Sequence, residues 1–226
     1  MSKQTERFSL AGHVGNMECV IDHPDADLYS VPRGIALVAH PHPLYGGTMD
    51  NKVAVTLART FVNLGYVVAR INFRGVGASE GVHDHGIGET DDMALLHAWM
   101  TEKYPGLPVA LTGFSFGTFV QSQLAQRLAA AGTPAERLVL VGAAAKKWDM
   151  AAIPADTILI HGENDDTIPL IDVLDWLRPQ DIPVIVIPGA DHFFHRKLQH
   201  IKRWVTQLWH RSTDVAETET DSASAD

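Results

Sequence analysis

Short, nearly continuous apolar runs, separated by longer amphipathic stretches, constrain this chain more than any other feature. They are GIALVAH (34–40), YVVARINF (66–73), PVALTG (108–113), RLVLVGAAA (137–145), DTILIHG (156–162) and IPVIVIPG (182–189). A strand with one wet face alternates apolar and polar residues, whereas runs without that alternation are covered on both faces. VGNMECVID (14–22) adds an early strand. Between the runs the period changes to that of a helix. In 51–65, Val53, Leu57, Phe61 and Val62 share a face and Gly65 is the stop; 90–104 carries acids in its first turn; 116–132 ends at Gly132; 170–178 and 194–210 follow. Strands alternating with helices imply a doubly wound, mainly parallel α/β sheet with right-handed crossovers. In such a sheet the reactive groups collect at the C-terminal ends of the strands.

The 226 residues suit a single domain, expected over 1–211. The net charge is −9, but STDVAETETDSASAD (212–226) holds five acids and no base, so the remainder stands at −4. That mild balance points to neither nucleic acid nor an anionic membrane as partner. The tail lacks the apolar residues that offset chain entropy and is expected to be disordered. A single cysteine, Cys19, excludes a disulfide within the chain and suggests a reducing, cytoplasmic setting, with Cys19 itself read as a packed core thiol. MSKQTERFSL has no apolar core of a secretory signal, and no run reaches the ~18 apolar residues of a membrane span.

The strand ends carry the chemistry. GFSFG (113–117) follows PVALT and opens a helix. A tight turn there lifts the Ser115 hydroxyl above the sheet, crowding leaves room only for glycine beside it, and the Phe116 N–H lies at a helix N-terminus where it can meet an oxyanion. A serine hydroxyl is a weak nucleophile and requires a base, itself oriented by a carboxylate. IPGADHFFH places His192 after the last strand, and LIHGENDDTIP places Asp165 and Asp166 after the preceding one. Each group of the order Ser, Asp, His thus follows its own strand.

From about residue 8 to 210 the chain resembles the α/β-hydrolase fold, and within it the small, lidless bacterial esterase-like hydrolases. The likeness rests on AHPHPLYGGTMDNKV, NFRGVGASEG, GFSFG, HGENDDTIP and GADHFF. It implies a serine hydrolase that cleaves carboxylic esters or thioesters through an acyl-enzyme on Ser115, with no cofactor and no metal. It also implies that Asp165, rather than Asp166, is the acid. The family's second oxyanion donor follows its third strand in a His-Gly-x form. Here Pro41 replaces the glycine and has no N–H, which makes the backbone of His42 the first choice and that of Leu44 the second. Only KKWDMAAIPAD (146–156) occupies the place of a lid, so the site is expected to be open, with Tyr45 and Trp148 lining it.

Twelve histidines, with the pairs His40/His42 and His83/His85, leave a metal-dependent hydrolase as a second class, although no His-Glu-x-x-His motif is present. A non-catalytic binding module on a hydrolase scaffold is the third. His40 and His42 read as loop-ordering residues, His83 and His85 as polar groups on a mobile rim loop, and Arg74 as the centre of a structural hydrogen-bond network. Nothing in the sequence specifies the acyl group, the alcohol or the oligomeric state.

Overall fold

The computed structural model describes the backbone of residues 5–221 and the side chains of residues 5–209. Its strands are β1 (Thr5–Gly12), β2 (Gly15–Asp22), β3 (Gly34–Ala39), β4 (Tyr66–Ile71), β5 (Val109–Phe114), β6 (Arg137–Val141), β7 (Ile158–Gly162) and β8 (Ile185–Ile187). The helices are α1 (Lys52–Asn63), α2 (Ile87–Lys103), α3 (Phe116–Ala130), α4 (Leu170–Leu177) and α5 (Leu198–Asp221). The strands form one sheet in the order β1-β2-β4-β3-β5-β6-β7-β8, antiparallel at β1–β2–β4 and parallel from β4 to β8.

The continuous apolar runs have the expected cause. Along β3 the side chains of Ile35, Leu37 and Ala39 join one core, whereas Ala36 and Val38 join the other. Met93 and Leu96 of α2, Val120 and Leu124 of α3 and Val173 of α4 complete the first core. Leu57 and Phe61 of α1 and Ile201, Val205 and Trp209 of α5 complete the second. Each fully buried Leu, Ile or Phe side chain contributes about 1.5–3 kcal/mol, so the two layers hold the sheet from both sides. Cys19 is completely buried in the first core, and burial pushes its thiol up to about 12.

Three differences from the sequence expectations have physical reasons. Strand β1 was not expected, but its partly buried Phe8 and Leu10 pack on the first core and the strand pairs with β2 from Thr5↔Asp22 to Gly12↔Gly15. The closing helix begins at Leu198 rather than 194, because Phe194 and Arg196 take left-handed backbone with φ of 52° and 60°. The same helix runs through 212–221, a stretch expected to be disordered, since propagating a helix costs little once it is nucleated. Residues 222–226 of the expected tail lie outside the described residues. We propose that the folded domain nevertheless closes near 211, because the stretch 212–226 carries Val215 as its one large apolar residue.

The first turn of α3 presses on the end of β3. A Cβ on Gly117 would stand 2.3 Å from the Ala39 carbonyl oxygen and 2.8 Å from that of His40, both backbone atoms. Gly117→Ala is therefore expected to destabilise the fold by about 1–3 kcal/mol or more, read as a lower urea midpoint at unchanged slope. Removing residues 212–226 is expected to move Tm by less than about 2 °C in a thermal melt, since the segment is too polar to bury apolar area.

Candidate active site

Strand β5 ends in a sharp reversal. Ser115, between the strand and α3, holds φ 54° and ψ −123°, a region in which a non-glycine residue stores about 1–3 kcal/mol of strain. The turn is fixed by the Ser115 N–H on the Val141 carbonyl at 3.0 Å and by the Ser115 carbonyl, which accepts from the Thr118 N–H at 2.8 Å and hydroxyl at 2.6 Å. Gly113 and Gly117 are both crowded: a Cβ on Gly113 would meet the Gly117 carbonyl oxygen at 2.5 Å.

Three separate loops bring Ser115, His192 and Asp165 together. Ser115 Oγ lies 3.0 Å from His192 Nε2, and His192 Nδ1 lies 2.7 Å from Asp165 Oδ2. The carboxylate can only accept, so Nδ1 carries the hydrogen and Nε2 presents its lone pair to the serine hydroxyl. His192 and Asp165 are buried, and Ser115 retains 9% of its surface. Asp165 Oδ1 accepts the N–H groups of Thr167 (3.0 Å) and Ile168 (2.7 Å). Burial would raise the Asp165 carboxyl, but the hydrogen bond and charge of His192, the Ile168 N–H and His161 together hold it below the usual carboxylate range. The exposed neighbour Asp166 reaches only the Thr167 hydroxyl, at 3.4 Å.

The loop after β3 supplies a second set of donors. His40 is fully buried; its Nδ1 donates to the Pro41 carbonyl at 2.6 Å and its Nε2 accepts the Phe73 N–H at 2.9 Å, and burial lowers it to about 4. It thus fastens the ends of β3 and β4 together, as a loop-ordering residue. Among the described residues the N–H groups of His42 and Phe116 meet no acceptor, whereas that of Leu44 is taken by His42 Nδ1 at 3.2 Å. Of the two loop positions considered, His42 is the one whose donor is free. Tyr45 is 86% exposed and rests against the His42 ring at 4.6 Å. Trp148 stacks on Phe119 and meets Phe116 and His42 at 4.8 and 5.6 Å, so it stands beside the serine turn. Between β6 and β7, residues 142–157 contain no helix or strand.

Two buried groups escape sequence reasoning. Fully buried His161, in β7, donates from Nε2 to the Ile168 carbonyl at 2.9 Å and lies 3.4 Å from Asp165 Oδ2, behind the acid. Fully buried Glu89, in the first turn of α2, accepts the N–H groups of Asp84 (2.9 Å) and Gly86 (2.7 Å) and pairs with His83 Nδ1 at 2.8 Å. His83 is therefore anchored and not a loose rim residue, its side chain being 6% exposed. The only sequence hint was Glu89 three residues after Gly86, a helix-start spacing. Arg74 binds Asp92 through two contacts of 2.9 and 2.8 Å and the Gly88 carbonyl at 2.8 Å, the structural network expected of it. Among the described residues no group of His, Cys, Asp and Glu is arranged to hold a metal ion, and no helix is long and apolar enough to cross a membrane.

The family described as X-Pro dipeptidyl-peptidase (S15 family) matches residues 30–153, more than half of the chain. Over 186 residues the chain is 36% identical to an uncharacterized protein of Rickettsia prowazekii, with 75% of each chain covered. A lysophosphatidylserine lipase of Danio rerio is 35% identical over 106 residues, which cover 45% of this chain and 28% of that protein. A crystal structure from Xanthomonas campestris, described as an α/β serine hydrolase without lid, superposes with a TM-score of 0.85 at 33% identity, covering 93% of this chain and 96% of the other. Fold, family match and relatives agree: the chain belongs to the α/β hydrolases, in the X-Pro dipeptidyl-peptidase (S15) family and alongside the small bacterial members that lack a lid.

Proposed function

We propose that this hydrolase cleaves carboxylic esters or thioesters through an acyl-enzyme on Ser115. The observation that carries the reading is the continuous hydrogen-bonded line from Ser115 Oγ through His192 to Asp165, at 3.0 and 2.7 Å. In the first half-reaction His192 Nε2 takes the serine proton as Oγ attacks the carbonyl carbon. Asp165 keeps the other ring nitrogen protonated and stabilises the imidazolium that forms. The negative oxygen of the tetrahedral intermediate is received by the Phe116 and His42 N–H groups, neither of which has an acceptor among the described residues. His192 then returns the proton to the leaving alcohol or thiol, and water repeats the sequence to release the acid. No step calls for a cofactor, and the partner is a small-molecule substrate.

The absence of any helix or strand in 142–157 supports substrates that need little enclosure. The X-Pro dipeptidyl-peptidase reaction named for the family uses amide substrates, which pass through the same kind of acyl-enzyme with a poorer leaving group. A panel of p-nitrophenyl esters, an acyl thioester and a proline-containing dipeptide anilide separates these classes by kcat/KM. A metal-dependent reaction would instead be marked by activity that a chelator abolishes and that survives loss of Ser115.

Ser115→Ala is expected to lower ester turnover by at least about a thousandfold and to abolish labelling by a fluorophosphonate probe; labelling that persists contradicts the assignment. Asp165→Asn removes the acceptor that sets the imidazole tautomer and is expected to lower kcat by about 10³–10⁴. Asp166→Asn, on the exposed neighbour, is expected to cost less than about tenfold, through local loop effects. Both are measured as kcat on one ester, with folding followed by circular dichroism. A reversed order would move the acid role to Asp166.

A further inference from the structure

A second imidazole is set on a buried carboxylate beside the Ser115 turn, and the reaction described above does not use it. Glu89 already accepts the N–H groups of Asp84 and Gly86. It presents acceptor lone pairs to the ring, so the hydrogen of the 2.8 Å contact sits on His83 Nδ1. The opposite ring nitrogen, Nε2, has no partner among the described residues and is not sealed from solvent, although only 6% of the side chain is exposed. The ring packs on Phe116, the residue after the serine, at 5.5 Å, and on His42, which offers its N–H to the same site, at 4.8 Å. The His85 ring stands 5.2 Å away.

We propose that His83, backed by Glu89, is a substrate-recognition group that binds a carboxylate carried on the ester substrate, at a distance from the bond to be cleaved. This deepens the reading of Ser115 as nucleophile and rests on it. With Nδ1 committed to Glu89, a proton taken up at Nε2 is the one that meets a ligand. The resulting imidazolium lies directly on a fully buried carboxylate that balances it. The charged and titratable groups around it fit that role. Asp84 is drawn off by Arg74, 3.7 Å away, and Arg74 is itself bound to Asp92. His42 and His85 add imidazole rings and no negative charge. One imidazolium matches one singly charged group. The alternative occupant of a histidine cluster, a metal ion, finds no suitable ligand set among the described residues.

The test compares two p-nitrophenyl esters of equal acyl length, one neutral (butyrate) and one ending in a free carboxylate (hemisuccinate). The readout is the ratio of kcat/KM for the anionic over the neutral ester, in the wild type, His83→Gln and Glu89→Gln. The ratio is expected to fall about tenfold in His83→Gln, mainly through KM, and to fall in Glu89→Gln where that variant folds. A ratio that is the same in wild type and His83→Gln overturns the proposal. If neither ester is turned over by the wild type, the hydrolase reading fails. The site is then judged by calorimetry of monomethyl succinate binding to Ser115→Ala with and without His83→Gln, where binding lost with His83 supports it and equal binding, or none, overturns it.

Discussion

Everything at the C-terminal edge of the sheet depends on one close approach, that of the first turn of α3 to the ends of β3 and β5. A chain leaving a buried parallel strand must reverse at once if its next residue is to stand above the sheet. Ser115 does so at φ 54°, and the helix that follows has no room for a side chain at Gly117, where the Ala39 carbonyl would be 2.3 Å from a Cβ. A strained serine survives there because its surroundings over-determine it: β5 is buried along its length, and the Ser115 N–H is held by Val141 of the neighbouring strand. The same proximity brings the His42 ring, in the β3 loop, within 5.0 Å of the Phe116 ring.

Around this turn the remaining loops are tied by hydrogen bonds of buried polar groups. His40 fastens β3 to Phe73, two residues past β4, Arg74 and Asp92 tie the following loop to α2, and Glu89 closes that loop onto its own helix. His161 stands behind Asp165. A buried polar group without a partner costs about 1–3 kcal/mol, so each pairing restricts its loop to one conformation. The result is a site whose groups come from distant parts of the chain but whose geometry is set before any substrate arrives.

Much of this was legible in the sequence, and the rest was hidden for identifiable reasons. Continuous apolar runs gave the buried strands, and GFSFG, HGENDDTIP and GADHFF at strand ends gave the three groups that the fold brings together. Boundaries slipped where local backbone overrode the pattern. Strand β8 shrank to Ile185–Ile187 between prolines at 183 and 188, which carry no N–H for a ladder, and α2 began early at Ile87 because Glu89 caps it. The edge strand β1 carried too weak an alternation to separate from a loop. Beyond the Gly86–Glu89 spacing, Glu89 and His161 were illegible: what makes them important is which side chain they meet in three dimensions, and neither pairing leaves a distinctive spacing.

The stretch between β6 and β7 has a consequence for how such a molecule can diversify. Its residues Lys146, Lys147 and Asp149 are exposed, while Ala144 and Trp148 of the same stretch meet the serine turn, so only the exposed positions are clear of it. Lengthening a surface connection costs only about 0.6 kcal/mol of closure entropy per doubling. A covering segment grafted at this point would therefore change which molecules reach the serine while leaving the reactive geometry as it is. The bare frame is a starting point from which selectivity can be acquired by insertion, with no need to rebuild the chemistry.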